Sequence, residues 1–221
     1  MSRSAIATML VGFAVTLGAS PAAQAAGQAD PQQHRPSAAE MSREETPGKA
    51  FARQWRDQEY EVRSAAEAMP ADKWDYRPAA GRFKNNGLKF GPTEVRTFAE
   101  QVKHVACSNF AFAAELDGNT PPEACYNGGP SPAHTPAELQ VYLRDSFVAL
   151  RKSLSAITAK NMYDPIEGPY AGPNTRVGLA AVCVWHAADH YGQMVLYLRL
   201  NGIVPPASRP SPPKLNDFPT Q

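Results

Sequence analysis

The stretch TFAEQVKHVACSNFAFAAELDG, residues 97–118, carries its own start and stop signals. Thr97 followed three residues later by Glu100 is a capping box, in which a hydroxyl and a carboxylate satisfy backbone N–H groups left unpaired in a helix's first turn. Phe98, Val102, Val105, Phe112 and Leu116 then recur on one helical face. Gly118 is the residue type that tolerates the left-handed backbone closing a helix. The segment reads as one complete amphipathic helix, and its apolar stripe needs partners to bury it.

Three further segments supply them. Upstream, Thr46-Pro47 places a cap before proline at the first helical position. Phe51, Trp55, Gln58, Val62, Ala65 and Met69 follow at helical spacing, and Pro70 ends the run. Residues 71–95 are rich in Gly, Pro and Asn and read as a long loop, with Trp74 and Tyr76 pinning it to the body. Downstream, after a Pro- and Gly-rich loop, Thr135-Pro136-Ala137-Glu138 combines cap, proline and capping box. It leads into Leu139, Leu143, Phe147, Leu150, Leu154 and Ile157. The last helix begins near Thr175 and stops at Asn201-Gly202, with Val177, Ala181, Val184, Tyr191, Val195 and Leu198 as its expected apolar set. Four long amphipathic segments and no convincing strand predict an all-α fold, a four-helix bundle with long loops.

The N-terminus follows a different logic. Arg3, an apolar run from Ala5 to about Ala19 and the small-x-small sequence Ala23-Gln24-Ala25 have the layout of a secretory signal peptide over residues 1–25. The run is short for a bilayer span; an uncleaved anchor is the other reading. Cleavage leaves a periplasmic or secreted protein with no stable membrane insertion. Residues 26–45 read as a flexible lead-in, 46–206 as the bundle, and 207–221 as an extended proline-rich tail. The full chain has 22 Lys and Arg against 21 Asp and Glu, and the signal contains only Arg3, so the mature chain is formally neutral. With no basic patch, nucleic acid is not an expected partner.

The chemistry gathers on histidine. His186 and His190, four apart in WHAADHYGQMVLYLRL (185–200), project from one helix face. The pair by itself leaves two readings open: hydrogen-bonded core imidazoles, or two thirds of a metal site. Position 187 is Ala, so there is no H-E-x-x-H metalloprotease motif. His34 falls in the lead-in and His134 in a loop. His104 lies mid-helix beside the apolar stripe and is the best-placed third ligand, since facing helices of a bundle run roughly 8–10 Å apart. Otherwise it is a histidine at the edge of the core.

RTFAEQVKHVA (96–106), HAADHYGQMVLYLRLNGIVPP (186–206) and WDYRP (74–78) resemble the DinB/YfiT-like metalloenzyme family, with similarity over about residues 47–207. The resemblance implies a four-helix bundle holding a divalent metal through three histidines, which fall here on His104, His186 and His190. Three neutral imidazoles suit zinc or nickel best, with iron or manganese also compatible, and they leave coordination positions open. Asp189, beside the pair, and Glu100, one turn before His104, are the candidate general bases. Asp189 is turned about 100° from its neighbours on the helix, which suits a supporting or surface role equally well, and Glu100 already serves as a cap. Tyr191, Gln193 and Tyr197 either line the site or pack. The family often forms homodimers, which an exposed apolar helix face would permit.

Two functional readings follow. One is an exported metal-dependent transferase or hydrolase acting on a small molecule of unknown identity. The other is a non-catalytic metal- or ligand-binding bundle acting in envelope stress. Relatives include S-transferases and an isomerase that use low-molecular-weight thiols, which are mainly cytosolic and so fit an exported protein poorly. Cys107, three residues after His104, and Cys183, three before His186, would share one level beside the metal if their helices are antiparallel. A Cys107–Cys183 bridge and a cysteine metal ligand are both open on that ground. Cys125, in a loop, is then the odd thiol.

Overall fold

A computed structural model describes residues 37–43, 45–78, 95–125 and 133–211. Four long helices dominate: α2 (Pro47–Ala68), α3 (Phe98–Leu116), α4 (Pro136–Ser155) and α5 (Arg176–Leu200), preceded by a short α1 (Ala38–Arg43). Each long helix starts on a threonine whose hydroxyl accepts a backbone N–H from the first turn: Thr46 from Lys49, Thr97 from Glu100, Thr135 from Glu138 and Thr175 from Gly178. The capping boxes at Thr97 and Thr135 are both complete, and Gly118 closes α3 at φ 71°.

Around the bundle the helices neighbour one another in the order α2, α4, α3, α5. Helices consecutive in sequence, α2 with α3 and α4 with α5, therefore sit across the diagonal. The connections after α2 and α4 thus cross the bundle, which their length allows. Two α2–α4 contacts set the register of that wall. Trp55 stacks on Phe147 at 4.8 Å and donates its indole N–H to the Phe147 carbonyl at 3.0 Å. The buried Glu59 carboxylate accepts from Arg63 at 2.9 Å and Arg151 at 2.5 Å. At the end of that wall the Gly48 N–H donates to the Ile157 carbonyl at 2.9 Å. A Cβ on Gly48 would lie 2.6 Å from two backbone oxygens, so only glycine allows this approach.

The helix α5 is held antiparallel to α3 from both ends. Arg176 donates to the Leu116 carbonyl at 2.8 Å, while Glu115, buried, accepts from the backbone N–H groups of Tyr170 and Ala171. At the other end Gln101 of α3 reaches His190 and Gln193 of α5. Trp74 and Tyr76 pin the start of the first crossover. Trp74 packs edge-on against Phe98, and its carbonyl accepts from Ala99 N–H as that of Tyr76 accepts from Phe98 N–H.

Three sequence expectations are corrected. The fold is not wholly helical: Pro165–Ile166 and Asn174–Thr175 pair as an antiparallel ladder within the loop before α5. Two-residue strands are too short for any alternating pattern to reveal them. Ala38–Arg43 is helical inside the expected lead-in, where Ala, Glu, Met and Arg all favour helix. The buried face of α5 is also rotated from the expected one. Leu179, Ala180, Cys183, Ala187, His190, Met194 and Leu198 are buried, whereas Ala181 is exposed and Val177, Val184, Tyr191 and Val195 are only partly covered. This helix carries apolar residues all round, including exposed Trp185, Leu196 and Leu200, so its periodicity is a poor guide. The signal peptide, most of the lead-in and the tail beyond residue 211 lie outside the described residues.

Candidate metal centre

His104 comes from the middle of α3, and His186 and His190 from successive turns of α5. Their ring centroids lie 5.3 Å apart for His104–His186, 4.6 Å for His104–His190 and 4.4 Å for His186–His190. One ligand nitrogen from each ring falls within 4.8 Å of the others. The Nε2 atoms of His186 and His190 face each other at 3.1 Å. Two nitrogens bound tetrahedrally to one ion at 2.0–2.1 Å would stand about 3.3 Å apart, so the rings are already near the separation an ion requires.

The electrostatics suit a cation without adding a proton. Burial is the main cause lowering all three imidazoles. His104, with Arg96 and the other two rings also disfavouring charge, is brought down to about 3. His186, with His190 acting the same way and Asp189 opposing, is brought down to about 4. His190 is lowered too, against the pull of Asp189. Rings neutral at pH 7 keep lone pairs available for a metal. The Nδ1 of His186 is buried with no hydrogen-bond partner among the described residues, an arrangement that costs stability and concentrates at functional sites.

These shifts have a sign that can be tested without metal. A histidine whose folded pKa lies below its unfolded value near 6.5 costs stability as pH falls from 6.5 towards the folded value, because only the unfolded chain takes up the proton. Denaturant unfolding of the metal-free protein is expected to weaken between pH 7 and pH 5, and less steeply in His104→Leu. Equal declines in the two proteins would mean that His104 is not held neutral by the fold.

Gln101 was not anticipated from sequence. It is 1% exposed, and its side-chain amide sits 2.5 Å from His190 Nδ1 and 2.9 Å from Gln193 Oε1. Gln193 in turn donates to the Asp189 carboxylate at 2.9 Å. An amide can present either a donor or an acceptor to Nδ1. Here the Gln101 Nε2 faces both His190 Nδ1 and the Gln193 Oε1 to which it donates, and the two contacts together fix the orientation of the His190 ring. The available sequence signal was a polar residue three before His104, on the same helix face.

The two candidate bases stand apart from the cluster. Asp189 is exposed and reaches His190 only through Gln193 and Gln101. Glu100 Oε2 accepts from the Thr97 N–H at 2.7 Å and from Arg77 at 3.4 Å. Its side chain lines a cleft of about 430 Å³ together with His104, Arg77, Arg96, Lys103 and Cys107. Tyr197 donates to the Arg96 carbonyl at 2.5 Å and so braces the cleft rim, and Tyr191 packs half-buried against the core. His134 is exposed, and His34 lies outside the described residues.

No Cys107–Cys183 bridge forms, and all three cysteines are free thiols. Three helical residues turn a side chain by roughly 300°. Cys107 therefore lies within about 60° of His104 about the α3 axis; it lines the same cleft and turns to the Tyr142 hydroxyl of α4, while Cys183 is buried in the core. Neither belongs to the histidine cluster.

A family model described as the DinB superfamily matches residues 54–194. The crystal structure of a DinB-like protein, YjoA, from Bacillus subtilis aligns with a TM-score of 0.53 and 18% identity, covering 75% of this chain and 97% of that one. At that identity the likeness concerns the fold. No curated protein matches.

Proposed function

The chain belongs to the DinB superfamily, and from that premise we propose that it is an exported metal-dependent transferase or hydrolase whose divalent ion is held by His104, His186 and His190. The observation that carries this reading is the convergence of three ring nitrogens from two helices, one of them, His104, also lining a cleft. Zinc or nickel suits three imidazoles best, and iron or manganese is compatible. Such an ion supplies Lewis acidity to an oxygen or sulfur ligand.

The chain's own groups do the rest. Gln101 orients His190, and Asp189 acts on that ring only through the two amides. Arg77, Arg96 and Lys103 give the cleft a cationic rim that favours a small substrate with an anionic portion. Glu100 is the general base in this reading, supported by its position on the cleft wall. The signal-peptide layout of residues 1–25 supports a periplasmic or secreted location. A homodimer is supported by the exposed stripe of α5 bearing Trp185, Leu196 and Leu200.

Cobalt substitution separates this reading from a non-catalytic bundle. Cobalt(II) in the purified protein is expected to bind one equivalent per chain, and its visible spectrum to change on adding azide, because an open position accepts an outside ligand. A bound cobalt whose spectrum ignores azide would indicate a closed site and favour the non-catalytic reading.

A further inference from the structure

Cys107 and Cys125 meet on the wall of the cleft that also bears His104. Cys107 sits on α3, and Cys125 ends a 3-10 turn, Glu123–Cys125. The Cys107 sulfur lies 3.6 Å from the carbonyl oxygen of Ala124 and 3.6 Å from the Tyr142 hydroxyl. The Cys125 sulfur lies 3.5 Å from that same hydroxyl. Two sulfurs from separate segments thus share one phenol. Tyr170 holds the turn in place by donating its hydroxyl to the Cys125 carbonyl at 2.6 Å. The third thiol, Cys183, is 1% exposed in the core.

We propose that Cys107 and Cys125 form a thiol–disulfide exchange site, converted to an intramolecular disulfide by a low-molecular-weight disulfide entering the cleft. The recessed position of Cys107, 8% exposed, favours a small oxidant over a protein. Cys107 is the attacking sulfur. Hydrogen bonds from Cys125 and Tyr142, helped by the Lys103 charge, hold its thiol below the usual range against the opposing effect of burial, while Cys125 and Cys183 are pushed up. Depressed thiols of this kind are the reactive ones.

The exchange balances. The Cys107 thiolate attacks one sulfur of R–S–S–R, the S–S bond breaks, and the first RS⁻ leaves and takes the proton that Cys107 lost. Cys125 then gives up its proton and attacks the Cys107 sulfur of the mixed disulfide. The second RS⁻ leaves and takes that proton. Two cysteine sulfurs are oxidised by two electrons in total, and one small disulfide is reduced to two thiols. The final bond is about 2 Å long with a Cβ–S–S–Cβ dihedral near 90°. Two side chains already in contact at one hydroxyl can reach it by rotation. None of this depends on a bound metal.

The test uses the full chain, stripped of metal and incubated with oxidised glutathione, then acid-quenched, alkylated and mapped as peptides without reduction. The expected result is a Cys107–Cys125 cross-linked peptide with only Cys183 alkylated. Cys125→Ser is expected to retain glutathione on Cys107, and Cys107→Ser to react at Cys125 at least about tenfold more slowly, as the attacking thiolate sets the rate. Three alkylated cysteines, stable glutathionylation of the unmodified chain without a cross-link, or a bridge to Cys183 would each overturn the proposal. The map of the unmodified chain decides the matter even if a variant fails to fold. Because the sample is metal-free, its outcome is separate from that of the cobalt experiment.

Discussion

Replacement of His190 by alanine is expected to abolish stoichiometric metal binding while leaving a folded helical protein. His190 is the central residue of the histidine cluster. Its ring stands closest to both others, 4.4 Å from His186 and 4.6 Å from His104, and it is held by a buried amide, from Gln101. Loss of an outer partner of a metal ligand typically weakens affinity by roughly 10- to 100-fold, and loss of a ligand itself exceeds that. His104→Ala is expected to lose metal similarly, because it removes the histidine that α3 contributes to the cluster. Retained folding is expected because both changes remove neutral, low-pKa rings from a polar cluster and not from the packed core. Metal analysis of the purified variants, with circular dichroism as the folding control, provides the measurement. Metal content equal to that of the unmodified protein in both variants would remove the proposed centre.

Trp55→Ala is expected to have the opposite profile, a large loss of stability with the ligand set intact. Trp55 is wholly buried, stacks on Phe147 and donates its indole N–H to the Phe147 carbonyl. Truncating a buried tryptophan typically costs about 3–5 kcal/mol, combining lost transfer free energy with the cavity left behind. For a domain of this size each kcal/mol lowers Tm by roughly 2–4 °C, so a fall of about 10 °C is expected. The contact joins α2 to α4, whereas the ligands lie on α3 and α5, so the variant that remains folded should still bind one metal. A loss below about 1 kcal/mol in denaturant unfolding would show that the α2–α4 wall is not packed as described, because cavity-forming changes at truly buried aromatics do not come so cheaply.

Much of this molecule was legible before any coordinates. The starts of α2, α3 and α4 follow from Thr46, Thr97 and Thr135, since capping is a local interaction whose donor and acceptor lie within four residues. The expected stripes of α3 and α4 are buried for the same reason, the helical period marking a face to be covered, although α3 also buries Gln101, Ser108, Asn109 and Glu115 outside its apolar stripe. That reasoning failed on α5. A helix with apolar side chains on every side does not announce which are covered, and Leu179, Cys183, Ala187 and Met194 were settled only by the neighbours that α2 and α3 place against it.

What the sequence determined by itself is therefore the four long helices, their capped starts and the pair His186 and His190, all written in spacings within a single turn or two. The meeting of His104 with that pair, the reach of Gln101 to His190 across α3 and α5, and the turning of Cys107 towards Cys125 and away from Cys183 were decided by tertiary structure. The reason is one of range. Helix geometry fixes a side chain's direction about its own axis to within tens of degrees. Whether two such directions converge depends on the rotation and register with which the helices pack, and those are set by the whole core at once.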